Sequence, residues 1–106
     1  MTNIFDITED GIVLSNPYPL FSDLDLKAQE DHLVEDILQI SFKHFKHTII
    51  DIGWYGGDFD SSTGHFCIMI VKNTEWDFPV YKKTCKSVVE LGRFLNEAIL
   101  IVKQDV

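Results

Sequence analysis

The sequence predicts an α+β fold in which an antiparallel sheet of about four to five strands carries two main helices. Alternating apolar residues over 48–55 predict a half-buried strand, and the apolar run over 65–72 predicts a central one. The segment SVVE at 87–90 predicts a helix start, because the serine hydroxyl and the glutamate carboxylate can each satisfy a free backbone N–H. A chain of 106 residues can bury one core, so we predict a single domain over 1–106.

The N-terminal third is predicted to contain a hairpin, a connector and the first helix. Short β-type runs at 3–7 and 11–15 flank a turn ending in Gly11, and two prolines make 16–19 a connector. From about 25 to 46, spacings of three and four predict an amphipathic helix with acids in its first half and basic residues in its last turns. Its apolar stripe consists of Leu33, Val34, Ile37, Leu38, Ser41 and Phe45.

The C-terminal half supplies the rest of the sheet and the second helix. A long loop over 56–64 joins the first two strands, and a third strand is predicted at 78–84. Pro79 favours an edge position for that strand, because proline cannot donate to a neighbour. A helix over 88–102 is predicted to bury its apolar side against the sheet.

Charge is distributed unevenly along the chain. The net charge is −8, but residues 1–60 hold twelve acids and three lysines, giving −9, whereas residues 61–106 hold five acids and six bases, giving +1. An acidic surface repels phosphate backbones and speeds encounter with cationic proteins. We therefore expect a basic protein partner and no direct nucleic-acid binding; acidity that serves only solubility is the alternative.

The N-terminal segment and the cysteines indicate the compartment. The start, MTNIFDITED, has acids where a secretory signal has lysines, and no run approaches the length of a membrane span. Cys67 and Cys85 lack metal-ligand or redox spacing and are interpreted as free thiols. We expect a cytoplasmic protein that does not act at a membrane.

The sequence gives only weak evidence for metal-binding or catalytic groups. Asp58 to Ser62 begins like a calcium loop, but Thr63 stands where the turn needs Gly and Met69 where it needs Glu. His44 and His47 are interpreted as a pair at a helix C-terminus, and His32 with Asp36 as an i, i+4 surface pair. With neither a G-x-S-x-G motif nor a phosphate-binding loop, we predict no enzyme, no cofactor and no metal.

Aromatic residues lie next to acids around the two loops, which is the composition of an interface with aromatic anchors and charged partners. Trp54 and Phe78 alternate with core positions and are predicted to be buried, whereas Tyr55 and Trp76 are predicted anchors. The predicted partner-binding residues are Glu30, Asp31, Glu35, Asp36, Tyr55, Asp58, Asp60, Trp76 and Asp77.

The segment WYGGDFD at 54–60, the strand at 66–71, the Trp76 hairpin and the closing LGRFLNE at 91–97 resemble small immunity proteins of bacterial polymorphic-toxin and contact-dependent growth inhibition systems. The resemblance covers roughly the C-terminal half. It implies a cytoplasmic antitoxin that binds a toxin domain 1:1 and covers its active site. Many such toxins are basic nucleases, which an acidic inhibitor complements.

Two alternatives stay open at this level. One is a small metal- or ligand-binding domain that uses the Asp58 and Asp60 loop. The other is a non-catalytic adaptor or homodimer subunit that uses its edge strand.

Overall fold

The computed structural model describes residues 3–5, 12–15, 19–57 and 61–104. Across these residues, five strands form one sheet in chain order, and each neighbouring pair is antiparallel. The strands are β1 (Ile12–Ser15), β2 (Leu38–Phe42), β3 (Thr48–Tyr55), β4 (His65–Lys72) and β5 (Tyr81–Cys85), and one α-helix, α1 (Val88–Gln104), follows them. The α+β class and the antiparallel sheet are confirmed.

One face of the sheet is covered by α1. On this face Ile50, Ile52 and Trp54 of β3 lie directly opposite β4 residues 70, 68 and 66, and all six side chains are completely buried. Burying an apolar side chain of this size contributes about 1.5–3 kcal/mol. The helix adds its own buried stripe of Leu91, Leu95, Ala98, Ile99 and Val102.

The start and the docking of α1 follow from local chemistry. The backbone N–H of Glu90 donates to Ser87 Oγ over 3.3 Å, so the predicted serine cap is confirmed. On the side facing the sheet, the Tyr81 hydroxyl donates to the Glu97 carboxylate over 3.0 Å, and Lys83 Nζ lies 5.9 Å from the centre of the Phe94 ring. These contacts attach β5 to the helix.

The predicted helix over 25–46 is wrong. A short 3-10 helix, Lys27–His32, occupies its first part, and β2 occupies its centre. Leu38, Ile40 and Phe42 are buried while Gln39 is exposed, which is the period of two that a strand needs. The predicted helical stripe omitted Ile40 and Phe42, which the sheet buries: Ile40 pairs with Ile50 of β3, and Phe42 pairs with Ile12 of β1.

The N-terminal segment closes the core beside the sheet. The buried amide of Gln29 accepts from the N–H of Phe21 and donates to the carbonyls of Phe21 and Leu24. Asn3 forms an isolated antiparallel bridge with Phe21. The proposed hairpin turn at 9–11 lies outside the described residues, and β1 pairs with β2.

The third strand of the C-terminal half begins later than predicted, at Tyr81, and lies at the sheet edge as Pro79 suggested. Phe78 was predicted to be buried, but 77% of its surface is exposed. It lies in the loop between β4 and β5, which starts with a turn at Asn73 and Thr74, where both residues have positive φ. Because the strand has not yet begun at Phe78, alternation with the core does not apply to it.

Candidate functional site

The face of the sheet opposite α1 is the candidate site, and we call it the open face. The contacts of Tyr81 and Lys83 with α1 place the helix on the side of Ile68 and Ile70, to which these residues are paired. Residues at the alternate positions therefore lie on the open face. On β3, β4 and β5 they are Ile49, Asp51, Gly53, Tyr55, His65, Cys67, Met69, Val71, Lys82 and Thr84.

A concavity of about 430 Å³ lies on the open face. It brings together Tyr55 and Trp76, the two predicted aromatic anchors, although they lie 21 positions apart in the chain. Trp76 is 44% exposed, and the Tyr55 ring lies 6.5 Å from the imidazole of His65. The other lining residues are His65, Cys67, Met69, Lys82 and Thr84.

Glu35 and Asp36 form a bulge at the start of β2, and we call these two residues the acid pair. If the register of Leu38 with Ile52 continued, Trp54 would pair with Asp36. Instead, the N–H of Trp54 donates to the carbonyl of Val34 over 2.8 Å. Two residues on this side therefore have no counterpart on β3, which is the definition of a bulge. The side chains of the acid pair are exposed.

Gly53 makes room for this bulge. A Cβ atom built on Gly53 would lie 1.9 Å from the carbonyl oxygen of Glu35 and 3.1 Å from the Tyr55 ring. Only glycine therefore fits at this position of β3. The close approach places a backbone carbonyl of the acid pair directly over the open face.

Asp51 is the charged group at the centre of the open face. It lies on β3 between Gln39 of β2 and Met69 of β4, and the residue is 9% exposed. Burial, and to a smaller extent the negative charge of Asp36, raise the pKa of this carboxyl to about 6. Asp36 of the acid pair therefore acts on the same patch as Asp51.

The pKa values of neighbouring groups on the open face are also raised by burial and by nearby negative charge. The pKa of Tyr55 is raised to about 12, chiefly by burial and then by the charges of Asp51, Cys67 and the acid pair. Burial also raises the pKa of the Cys67 thiol, while Lys82 opposes that shift. At neutral pH the tyrosine hydroxyl and the thiol on this face are therefore uncharged.

Glu30 has a structural contact. Its Oε2 accepts hydrogen bonds from the backbone N–H of Ser61 over 2.9 Å and from the Ser61 hydroxyl over 3.0 Å. Asp31, its neighbour in the 3-10 helix, is exposed. The predicted acidic helix face is wrong, because Glu30 and Asp31 lie on the 3-10 helix while the acid pair lies in the bulge.

The loop between β3 and β4 is held at both of its described ends. Trp54 Nε1 donates to the carbonyl of Gly57 over 2.7 Å, and Gly64 packs against the Trp54 ring so closely that a Cβ would meet it at 2.0 Å. Trp54 is completely buried, which confirms its predicted core role. Asp58 and Asp60 lie outside the described residues, so their roles stay predictions.

The loop between β4 and β5 contributes more apolar surface than the sequence indicated. Trp76 and Asp77 are exposed, as a role in binding requires, and so are Phe78 and Val80. Val80 also lines a second concavity of about 290 Å³ on the helix side, together with Ile70 and Ile101.

The two predicted histidine pairs assumed a helix over 25–46, which the structure does not contain. His44 and His47 lie in the turn between β2 and β3, and His32 Nδ1 is hydrogen-bonded to the carbonyl of Pro19. Cys67 and Cys85 are both buried free thiols, as predicted. Within the described ranges, no three His, Cys, Asp or Glu side chains converge as a metal site would need.

Asp51, His65, Met69 and Lys82 were not among the predicted site residues. The signal was present for Asp51, because an acid at an alternate position of an otherwise apolar central strand is unusual. The other three come together only through the register of β3, β4 and β5.

No family model, curated protein or solved structure matches this chain. In the part of the chain that the structure describes, no helix has both the length and the apolar character needed to cross a bilayer.

Proposed function

We propose that this chain is an immunity protein that binds a basic, nuclease-type toxin domain in a 1:1 complex and covers its active site. The observation that supports it is the open face, where Tyr55 lines a concavity together with Trp76 and also feels the charges of Glu35, Asp36 and Asp51. The partner would be the toxin of a contact-dependent growth inhibition or polymorphic-toxin system, neutralised in the cytoplasm without any chemistry by this chain.

The aromatic residues would supply the binding energy. Trp76 and Tyr55 line one concavity and are partly exposed, so a partner side chain that fills the space buries both of them. Buried tryptophan and tyrosine are typical energetic centres of protein interfaces. A flat, fully charged surface would not provide such anchors.

The carboxylates would supply selectivity and speed. Glu35, Asp36 and Asp51 act together on the open face, and the exposed acid Asp77 lies next to Trp76 in the chain. A nuclease binds a polyanion, so its substrate channel is cationic, and these acids would occupy that channel in place of phosphates. The same charges disfavour direct nucleic-acid binding by this chain.

The test is calorimetric titration with the basic toxin domain that the proposal expects a neighbouring gene to encode. We expect a 1:1 complex in which Tyr55→Ala and Trp76→Ala each reduce affinity at least about 30-fold, or about 2 kcal/mol. Val89→Ala, which truncates an exposed apolar residue on α1, is the matched control and should leave affinity unchanged. Equal losses in all three variants would contradict the proposed face.

The loop acids have a separate test. Reversing Asp58 and Asp60 to lysine should slow association if they meet a basic partner, and the effect should shrink at high salt because salt screens long-range attraction between charges. Unchanged affinity at low and at high salt would remove this loop from the interface.

A second candidate is a homodimer subunit, and the exposure of Phe78 and Val80 next to edge strand β5 favours it. Sedimentation equilibrium distinguishes the two: a dimer that Phe78→Ser converts to a monomer would support it, and a monomeric wild-type chain would exclude it. For the metal-binding alternative at Asp58 and Asp60, absence of heat with Ca²⁺, Mg²⁺, Mn²⁺ or Zn²⁺ would leave it unsupported.

A further inference from the structure

Strand β5 lies at one edge of the sheet, and among the described residues it pairs with β4 alone. Backbone groups of a strand alternate between its two edges, so about half of those in β5 face away from β4. A row of N–H and C=O groups at an edge is a template for a further strand. The side chains of Lys82, Lys83 and Thr84 along this edge are exposed.

A concavity lies beside this edge on each face of the sheet. On the open face, Lys82 and Thr84 line the space of about 430 Å³ that also contains Trp76. On the helix side, Val80, the residue directly before β5, lines the space of about 290 Å³ together with Ile101 of α1. Side chains of an added strand would point alternately to the two faces. The edge therefore offers backbone partners for affinity and a space on each face for side-chain specificity.

The charge of this edge is basic, in contrast to the N-terminal part of the chain. Residues 78–89 hold three lysines and no acid. The register places Lys82, opposite Met69, on the open face and Lys83, opposite Ile68, on the helix side. Opposite charges on facing residues of paired strands attract. A strand with acids at two consecutive positions would therefore meet one lysine on each face.

The same lysines oppose a second copy of this chain at the edge. In full antiparallel overlap of two β5 strands, Lys83 would lie opposite its own copy, and like charges in that position are destabilising. Lysine on an edge strand is a common protection against such pairing. The charges therefore select against a basic strand and in favour of an acidic one.

We propose that β5 accepts an extended acidic segment of a partner protein as an additional strand of the sheet. The segment carries consecutive acids opposite Lys82 and Lys83, beside an apolar side chain that enters the helix-side concavity at Val80. This inference goes beyond the proposed function and does not rest on it. It concerns the edge of the sheet and an acidic ligand, whereas the proposed function concerns the acids of the open face and a basic partner.

The probe is the acetylated and amidated hexapeptide TVEEVT, titrated into ¹⁵N-labelled protein by NMR. We expect saturable binding that shifts the backbone amides at 81–85 most and slows hydrogen exchange of those that face away from β4. The hexapeptide TVKKVT should bind at least about tenfold more weakly, because its lysines face those of β5. TVEEVT with both valine nitrogens methylated loses a donor on each of its edges and should also bind at least about tenfold more weakly.

Charge reversal on β5 gives the matching test on the protein. Lys82→Glu combined with Lys83→Glu should reverse the preference, so that TVKKVT binds more tightly than TVEEVT. Lys43→Glu combined with Lys46→Glu is the matched control, because it reverses two exposed lysines in the turn between β2 and β3. That control should leave the preference unchanged, and thermal unfolding checks that both double variants are folded.

Several results would each overturn the inference: equal binding of TVEEVT and TVKKVT, equal binding of the methylated peptide, or equal loss of TVEEVT binding in the two double variants. A wild-type dimer that TVEEVT dissociates would assign the edge to a second copy and overturn the acidic partner. If the toxin domain binds this protein and TVEEVT does not, the edge inference fails and the proposed function stands. Binding of TVEEVT without a toxin complex supports the edge and contradicts the proposed function.

Discussion

The two faces of the sheet are built from the same strands, yet they are specialised in opposite ways. On the face under α1, residues such as Ile52 and Ile68 are completely buried and entirely apolar. On the open face, the intervening positions include an acid, a glycine and a tyrosine on β3 alone. Because alternate residues of a strand point to opposite faces, one strand can serve stability and recognition at once.

The largest expected difference between the faces comes from neighbouring truncations on β4. Ile68→Ala removes a fully buried side chain from the helix-covered face and should cost about 2–5 kcal/mol of unfolding free energy. Met69→Ala, one residue along and on the open face, should cost about 1 kcal/mol or less, because Met69 is only partly buried. Urea denaturation measures both, and equal losses would mean that the open face is a second core.

The bulge gives the next largest effect. Gly53→Ala would place a Cβ 1.9 Å from the Glu35 carbonyl, so the acid pair must move or the strand must distort. We expect a loss of about 2–4 kcal/mol in the same urea assay. Gly92→Ala is the matched control, because its Cβ would meet Ile4 at an ordinary 3.5 Å and helix propensity favours alanine by about 1 kcal/mol. A neutral Gly53→Ala would contradict the close approach.

The smallest expected effect is the loss of unfolding free energy caused by the Asp51 charge, and this effect depends on pH. Its folded-state pKa of about 6 exceeds the ordinary 3.8, so between these pH values the unfolded chain is ionised while the folded chain keeps its proton. Stability therefore falls as pH rises through this window and stays reduced above it. Asp51→Asn should stabilise the protein by about 1–3 kcal/mol at pH 7.5 and by nothing at pH 4.

Thermal unfolding across pH 4–8 checks this last prediction, with Asp25→Asn, which removes an exposed carboxylate, as the control. A destabilised Asp51→Asn at pH 7.5 would mean that the carboxylate has a compensating partner in the free protein. Stabilisation at pH 7.5 that disappears at pH 4 would assign the cost to the ionised carboxylate.

Much of the C-terminal half could be predicted because its signals are local. The alternation over 48–55, the apolar run over 65–72 and the cap at Ser87 each specify an element without reference to the rest of the chain. The segment over 33–46 could not be resolved in this way. Its apolar residues fit both a helical and a strand period, and the choice depends on pairing with β3.

The candidate site likewise contains residues that local sequence signals predicted and others that depend on long-range pairing. Tyr55 and Trp76 were predicted to be anchors because they lie beside acids around the two loops, and the structure brings them to one concavity. Asp36 was predicted to lie on a helix. It lies in a bulge instead, where its charge raises the pKa of Asp51, and no short-range sequence pattern predicts that bulge. The site is therefore a product of register and of one close approach at Gly53.

By itself the sequence determined the α+β class, the antiparallel hairpin of β3 and β4, the final helix and the concentration of acids in residues 1–60. These properties follow from hydrophobic period, capping chemistry and composition, which act over a few residues. Only the tertiary structure decided that residues 38–42 form a strand and that Asp51, the acid pair and the two aromatic residues share one face. Those outcomes depend on which distant segment offers a strand edge for hydrogen bonding and an apolar surface for burial. Local sequence patterns do not specify that segment, because the pairing forms only when the chain folds.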